Sequence, residues 1–147
     1  MRIVLDTNVV LSALLWRGKP YQLLEAIRQR NDVQVYSSAA LTGELADVLS
    51  RPFAIERLVL IGRSARAVLA DYFDVIDLVE PVEVPRVVPR DADDDHVIAA
   101  AVTAHAHFIV SGDSDLLSMG SHQGVSIVTA AMALMALGDE GSSASKT

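Results

Sequence analysis

Carboxylates recur at four places along this chain where they could do chemistry together. Asp6 follows "RIVL", Glu44 stands inside "LTGELADVL", and Asp91, Asp93, Asp94 and Asp95 crowd the run "PRDADDDHVIAAA". Asp113 and Asp115 close the set in "HFIVSGDSDLL". An aspartate before a helix caps its orphan amides and meets the positive end of its dipole, but one or two satisfy that need. The surplus must be solvated, paired with cations, or gathered with other carboxylates. If Asp6, Glu44, Asp95 and Asp113 converge, each pair ~4 Å apart repels by about 4 kcal/mol at an effective dielectric near 20. Protons or a divalent cation must relieve this. With no cysteine in the chain, ligation by oxygen points to Mg²⁺ or Mn²⁺.

The elements that position these acids follow from periodicity. "RIVLD" reads as a buried strand delivering Asp6 at its carboxyl end, "VQVYSS" as a second strand, and "VIDLVEPVEV" as a strand running into a Pro-punctuated edge or loop. "HFIVSGD" and "VSIVT" are further strands. Pro20 marks the start of the helix "PYQLLEAIRQRN"; Ser37 or Ser38 caps "AALTGELADVLSR", which stops before Pro52. The stretch from Phe53 to Phe73 is helical, broken at "GRS", where Ser64 can cap a second helix. "HVIAAAVTAHA" and "AAMALMAL", the latter capped by Thr129, complete the set. Strands alternate with helices, so the fold class is α/β, with helices on a mostly parallel central sheet.

In such a sheet the carboxyl ends of the strands share one edge, where ligands bind. Asp6 and Asp113 meet there if their strands are neighbours. Glu44 lies three residues after Leu41 and four before Val48, inside the apolar stripe, which turns it towards the sheet unless it snorkels at the stripe's margin. Asp95, three residues before Ile98 and four before Ala99, can point along the buried face. Asp94 should lie about 100° around the helix. Asp91, Asp93 and Asp94 are therefore assigned capping or solvated roles, Asp93 and Asp115 remaining candidates for additional ligands.

The hydrophobic fraction of 51% with 5% aromatics specifies a core of Ala, Val, Leu and Ile in one domain of 147 residues. Residues 1–137 make up that domain, and the polar segment 138–147 is expected to be a disordered tail. The start lacks the apolar region of a signal peptide and no run is long enough to span a membrane, so the expected compartment is the cytoplasm. A net charge of -7 opposes a broad basic nucleic-acid face but leaves room for local cations. Arg17, Lys19, Arg86 and Arg90 are the candidates for contacting phosphate.

"VLDTNVV", "LTGELADVL", "DDDHVIAAA" and "IVSGDSDLL", in that order, resemble the four signatures of PIN-domain nucleases, especially the VapC-like toxins of bacterial toxin-antitoxin systems. The resemblance runs from Met1 to about Leu137. It implies a PIN-like α/β/α sandwich and a metal-dependent ribonuclease that leaves 5′-phosphate and 3′-hydroxyl ends. Its acidic positions fall on Asp6, Glu44, Asp95 and Asp113, as catalytic residues and as metal ligands. Asn8 is similar to the polar residue that orients the first aspartate or a metal-bound water, and Ser111 stands where such proteins often carry Thr, keeping the hydroxyl. RNA, a cognate antitoxin and a second copy of the chain are the partners the resemblance implies.

The histidines form no metal-ligand set, and no Ser/His/Asp or Cys/His nucleophile pattern or Gly-rich phosphate loop occurs. Rival readings are a non-catalytic PIN-like RNA- or protein-binding module, a receiver-type phosphorylation domain, and another metal-dependent phosphohydrolase. The receiver reading expects paired acids after the first strand and a later lysine, which "DTN" and the scarcity of Lys oppose.

Overall fold

The structure, a computed structural model, describes residues 1–82 and 92–145. The expectations for Arg86, Arg90 and Asp91 lie outside the described residues, as does that for the side chain of Asp93.

Six strands form one sheet: β1 (Arg2–Leu5), β2 (Gln34–Ser38), β3 (Ile76–Val79), β4 (Phe108–Val110), β5 (Ser121–His122) and β6 (Val125–Val128). Their order is β3-β2-β1-β4-β6-β5. All pairings are parallel except β5 with β6. The helices are α1 (Thr7–Leu15), α2 (Lys19–Arg28), α3 (Ala39–Leu49), α4 (Pro52–Ile61), α5 (Ala65–Phe73), α6 (Ala92–Thr103), α7 (Ser114–Met119) and α8 (Ala130–Ser145).

Alternation along the strands divides the core into two layers. Ile3, Leu5, Val110 and Val128 face one cluster, which takes in Val9, Val10 and Ala13 of α1, Leu23, Leu24 and Ile27 of α2, and Ala133 and Leu137 of α8. Val4, Ile109, Val125 and Ile127 face the other, with Val97, Ile98, Ala100 and Ala101 of α6 and Leu116 of α7. Arg30 holds the carbonyl of Leu137 at 2.7 Å and ties α8 back to the end of α2.

The expected caps form. Ser38 accepts from the Leu41 amide, Ser64 from that of Ala67, and Thr129 from that of Met132. Gly62, at φ 67°, ends α4 in the left-handed conformation that glycine adopts without steric cost, breaking the helical region where "GRS" predicts. Two elements go beyond the sequence expectation. Helix α1 occupies "TNVVLSALL", where paired valines obscure the helical period, although an N-capping Asp6 was the available signal. Strand β5 forms because Gln123 and Gly124 both take positive φ, 48° and 83°, the tight-hairpin geometry that folds it back on β6. The backbone of residues 138–145, assigned by composition to a disordered tail, continues α8.

Among the described residues no helix is long and apolar enough to cross a membrane.

Candidate active site

Strands β1 and β4 are neighbours, in the register Leu5↔Val110. Because chain connections leave β1 towards β2 on one side while β4 lies on the other, their carboxyl ends border the crevice where open parallel sheets bind ligands. Asp6 stands one residue past β1 and Asp113 three past β4. The Asp6 amide donates to the Val110 carbonyl at 3.0 Å and that of Ser111 to the Val128 carbonyl at 2.9 Å, so the ladder extends to Asp6 and Ser111.

Both aspartates are helix caps. Asp6 Oδ1 accepts from the Val9 amide at 2.7 Å, starting α1. Asp113 Oδ1 accepts from the amides of Asp115 and Leu116 at 2.8 and 3.2 Å, starting α7. A hydroxyl joins them: Ser111 Oγ donates to Asp6 Oδ2 and accepts from the Asp113 amide at 2.9 Å. Ser111, buried between the two strand ends, is thus the bridge that fixes the orientation of Asp6.

Asp6, Asn8, Glu44, Asp94, Val97 and Asp113 line a cleft of about 30 Å³ at this crevice. Glu44 reaches it, half-buried, from α3. The acidic run delivers Asp94, on the same face of α6 as Val97 one turn later. Asp95 is fully buried and does not line the cleft. The expectation set Asp95 at the pocket and Asp94 in a capping or solvated role; the lining of this cleft includes Asp94, and both side chains are buried. One helical residue separates the two, a step of about 100° around α6. Periodicity marks the buried face of α6 but not which rim of that face borders the crevice.

Asp115 is exposed in the first turn of α7 and does not line the cleft. Asn8, exposed on α1, lines both the cleft and an adjoining cavity of about 510 Å³. Arg17 and Lys19 stand exposed beyond the far end of α1, Arg17 lying over the Tyr21 ring.

Burial pushes the Asp6 carboxyl above its ordinary range. The Ser111 hydroxyl and the Val9 amide offset part of that rise, and the charge of Asp113 adds to it. The donor set is oxygen only, which suits a hard divalent cation, and a cleft of about 30 Å³ is the size of one or two water molecules. As placed, no three of the described His, Asp or Glu side chains stand together closely enough to hold an ion. The carboxylates would have to draw inward to ligate one.

The PIN domain profile matches residues 2–115. Among solved structures, the fold is similar to that of VapBC2 from Rickettsia felis, crystallised bound to a DNA fragment from their promoter. That match has a TM-score of 0.61 and 13% identity, and covers 86% of this chain and 97% of that one. It is also similar to FitAcB from Neisseria gonorrhoeae, with a TM-score of 0.52, 20% identity, and coverage of 87% of this chain and 97% of that one. No curated protein matches it in sequence. These structural likenesses support the fold, and the profile spans Asp6, Glu44, the acidic run and Asp113. The chain belongs to the PIN domain family.

Proposed function

We propose that this protein is a divalent-metal-dependent ribonuclease of the cytoplasm and the toxin of a toxin-antitoxin pair. The observation that carries the reading is the Asp6–Ser111–Asp113 bridge across the ends of β1 and β4, in a cleft completed by Glu44 and Asp94. Asp6, Glu44 and Asp113, with a carboxylate from the Asp94–Asp95 pair, would hold Mg²⁺ or Mn²⁺. When bound, one or two such ions supply a hydroxide nucleophile at neutral pH, a clamp on phosphate oxygen and stabilisation of the leaving oxygen.

The chain's own groups set the conditions. Ser111 and the Val9 amide hold both oxygens of Asp6, so its carboxylate is oriented before any ligand arrives. The helix amino termini capped by Asp6 and Asp113 bring partial positive charge to the two strand ends. Asn8 offers an amide at the rim, where it can orient a water or a phosphate oxygen. Arg17 and Lys19 contribute cations on the flank.

Purified protein should cleave RNA with Mg²⁺ or Mn²⁺ and stop when a chelator is added. Chelator-insensitive cleavage, or none with either ion, would sink the proposal. The alternative reading is a non-catalytic RNA- or protein-binding module. RNA binding without turnover in both ions would establish it.

The antitoxin is proposed from the sequence resemblance, and a small open reading frame adjoining the gene is its simplest test. A second copy of the chain remains a proposed partner. Met132 and Met135 of α8 and Val59 and Leu60 of α4 expose apolar surface suited to that role.

A further inference from the structure

Helix α1 is buried along most of its length, but exposed Asn8 and half-buried Ser12 follow one another at four-residue spacing, with exposed Trp16 just past its end. Asn8 belongs to the carboxylate cleft. Asn8 and Ser12 line the adjoining cavity of about 510 Å³, whose other walls include Val9, Pro20, Ser114 and Thr129. Trp16 then opens a groove of about 350 Å³ with Arg17, Tyr21 and Arg57. Cleft and cavity share Asn8 and Asp113 at one end of α1, and the groove takes Leu14, Leu15 and Trp16 at the other. The eight residues from Asn8 to Trp16 span about 12 Å, short enough for a few nucleotides to bridge.

Within a lining that also includes Glu25, Leu14, Leu15 and Ile61, the groove holds two pairs of ring and cation. The Arg57 guanidinium lies 5.3 Å from the Trp16 ring centroid, and Arg17 lies 5.2 Å from that of Tyr21. Arg57 Nε also donates to the Leu15 carbonyl at 2.7 Å, fixing the guanidinium against the carboxyl end of α1. The Trp16 indole remains 40% exposed. Aromatic faces beside arginines stack unpaired bases and hold phosphates without reading sequence. In a chain of net charge -7, such cations beside an anionic cleft give a polyanion its local foothold.

We propose that the stripe from Asn8 to Trp16 is a track for single-stranded RNA. The strand flanking the scissile phosphate leaves the carboxylates past Asn8, lays a nucleotide in the cavity at Ser12, and stacks its next bases on Trp16 and Tyr21 between Arg17 and Arg57. The inference rests on the nuclease reading and adds to it the path of the substrate. A paired duplex has no free base face to offer the rings, so the track selects unpaired strands.

Trp16 is the chain's single tryptophan, so its emission reports the track directly. The full-length protein is titrated with labelled oligoribonucleotides of increasing length in Ca²⁺ in place of Mg²⁺, the RNA being checked as intact afterwards. Anisotropy and Trp16 emission are followed together. Emission should be quenched in step with binding by single strands, and much less by duplex RNA. Trp16→Ala should weaken binding roughly 5- to 150-fold, the range for loss of one stacking platform, while Trp16→Phe keeps most of it. Arg17→Ala should reduce the slope of log affinity against log salt by about 0.7.

RNA binding with unchanged Trp16 emission, equal affinity for duplex, no RNA binding at all, or a Trp16 response only to a protein partner would each overturn the track, the last making the groove a protein-docking surface. The two proposals fail separately. Cleavage with a silent Trp16 keeps the nuclease and removes the track, and Trp16-reported binding without cleavage in Mg²⁺ or Mn²⁺ does the reverse.

Discussion

Asp32 and Asp6 are the same residue type under opposite conditions. Asp32 lies exposed, and Arg30 grips both its oxygens at 2.8 and 2.6 Å, pulling its carboxyl from the ordinary 3.8 down to about 2. Asp71 is likewise lowered by Arg63 at 2.7 Å. Asp6 is buried, held by a hydroxyl and an amide, and pushed upward by burial and by Asp113. At the surface the protein supplies its own cation. At the end of β1 it supplies neutral donors that orient the carboxylate while leaving its charge to be met by something else, which is the electrostatic condition a metal-binding acid needs.

Replacement of Asp6 tests this contrast with the largest expected effect. Asp6→Asn keeps the size and one oxygen acceptor but removes the charge. Metal-dependent RNA cleavage should fall by more than the roughly 10- to 100-fold that loss of a supporting partner costs. Thermal stability at neutral pH should stay level or rise, because a strained negative charge has been removed. Wild-type turnover by this variant would place the chemistry elsewhere.

Ser111→Ala comes next, with cleavage reduced about 10- to 100-fold because the carboxylate loses its orientation. Asp94→Asn and Asp95→Asn belong beside it. If the cleft-lining acid is the ligand, Asp94→Asn should lower cleavage with little change in melting temperature, whereas Asp95→Asn should change both. The reverse pattern in parallel activity and melting assays would return the ligand role to Asp95.

Metal should also stabilise the wild-type fold. At a concentration 100 times its dissociation constant, Mn²⁺ adds about 2.7 kcal/mol, seen as a raised melting temperature that chelator reverses and Asp6→Asn abolishes. An identical shift in the variant would mean that the ion binds outside the cleft.

The two kinds of aspartate should respond oppositely to acid. A raised value means folding favours protonated Asp6, so its contribution is present below 3.8 and is lost as pH rises through its higher folded value. The contribution of Asp32 is present above 3.8 and is lost as pH falls towards about 2. Cleavage should therefore rise with pH through the Asp6 transition, and Asp6→Asn should remove the Asp6 component from the pH dependence of stability. The smallest effect is expected of Asp71→Asn. It breaks an exposed pair worth less than about 1 kcal/mol, and cleavage should not change.

The linear pattern was enough to place Asp6 and Asp113 at strand ends and Glu44 in the stripe of α3, because strand length, cap residues and helical period are local properties of the chain. The α/β class and mostly parallel sheet followed from the same local signals. Pairing of β1 with β4 was not local: residues 2–5 and 108–110 become neighbours only through the packing of what lies between them, and with that pairing came the Ser111 bridge. Which of Asp94 and Asp95 lines the cleft was equally hidden. Adjacent aspartates in one sequence context differ by about 100° of helix rotation, and only the crevice between α6 and the sheet edge decides which of them lines it. The stripe from Asn8 to Trp16 is periodic in the sequence, but its meaning depends on the cleft at one end and on Tyr21 and Arg57, from α2 and α4, at the other. Local chemistry set the type and spacing of the functional groups, and long-range packing chose which of them face the same space.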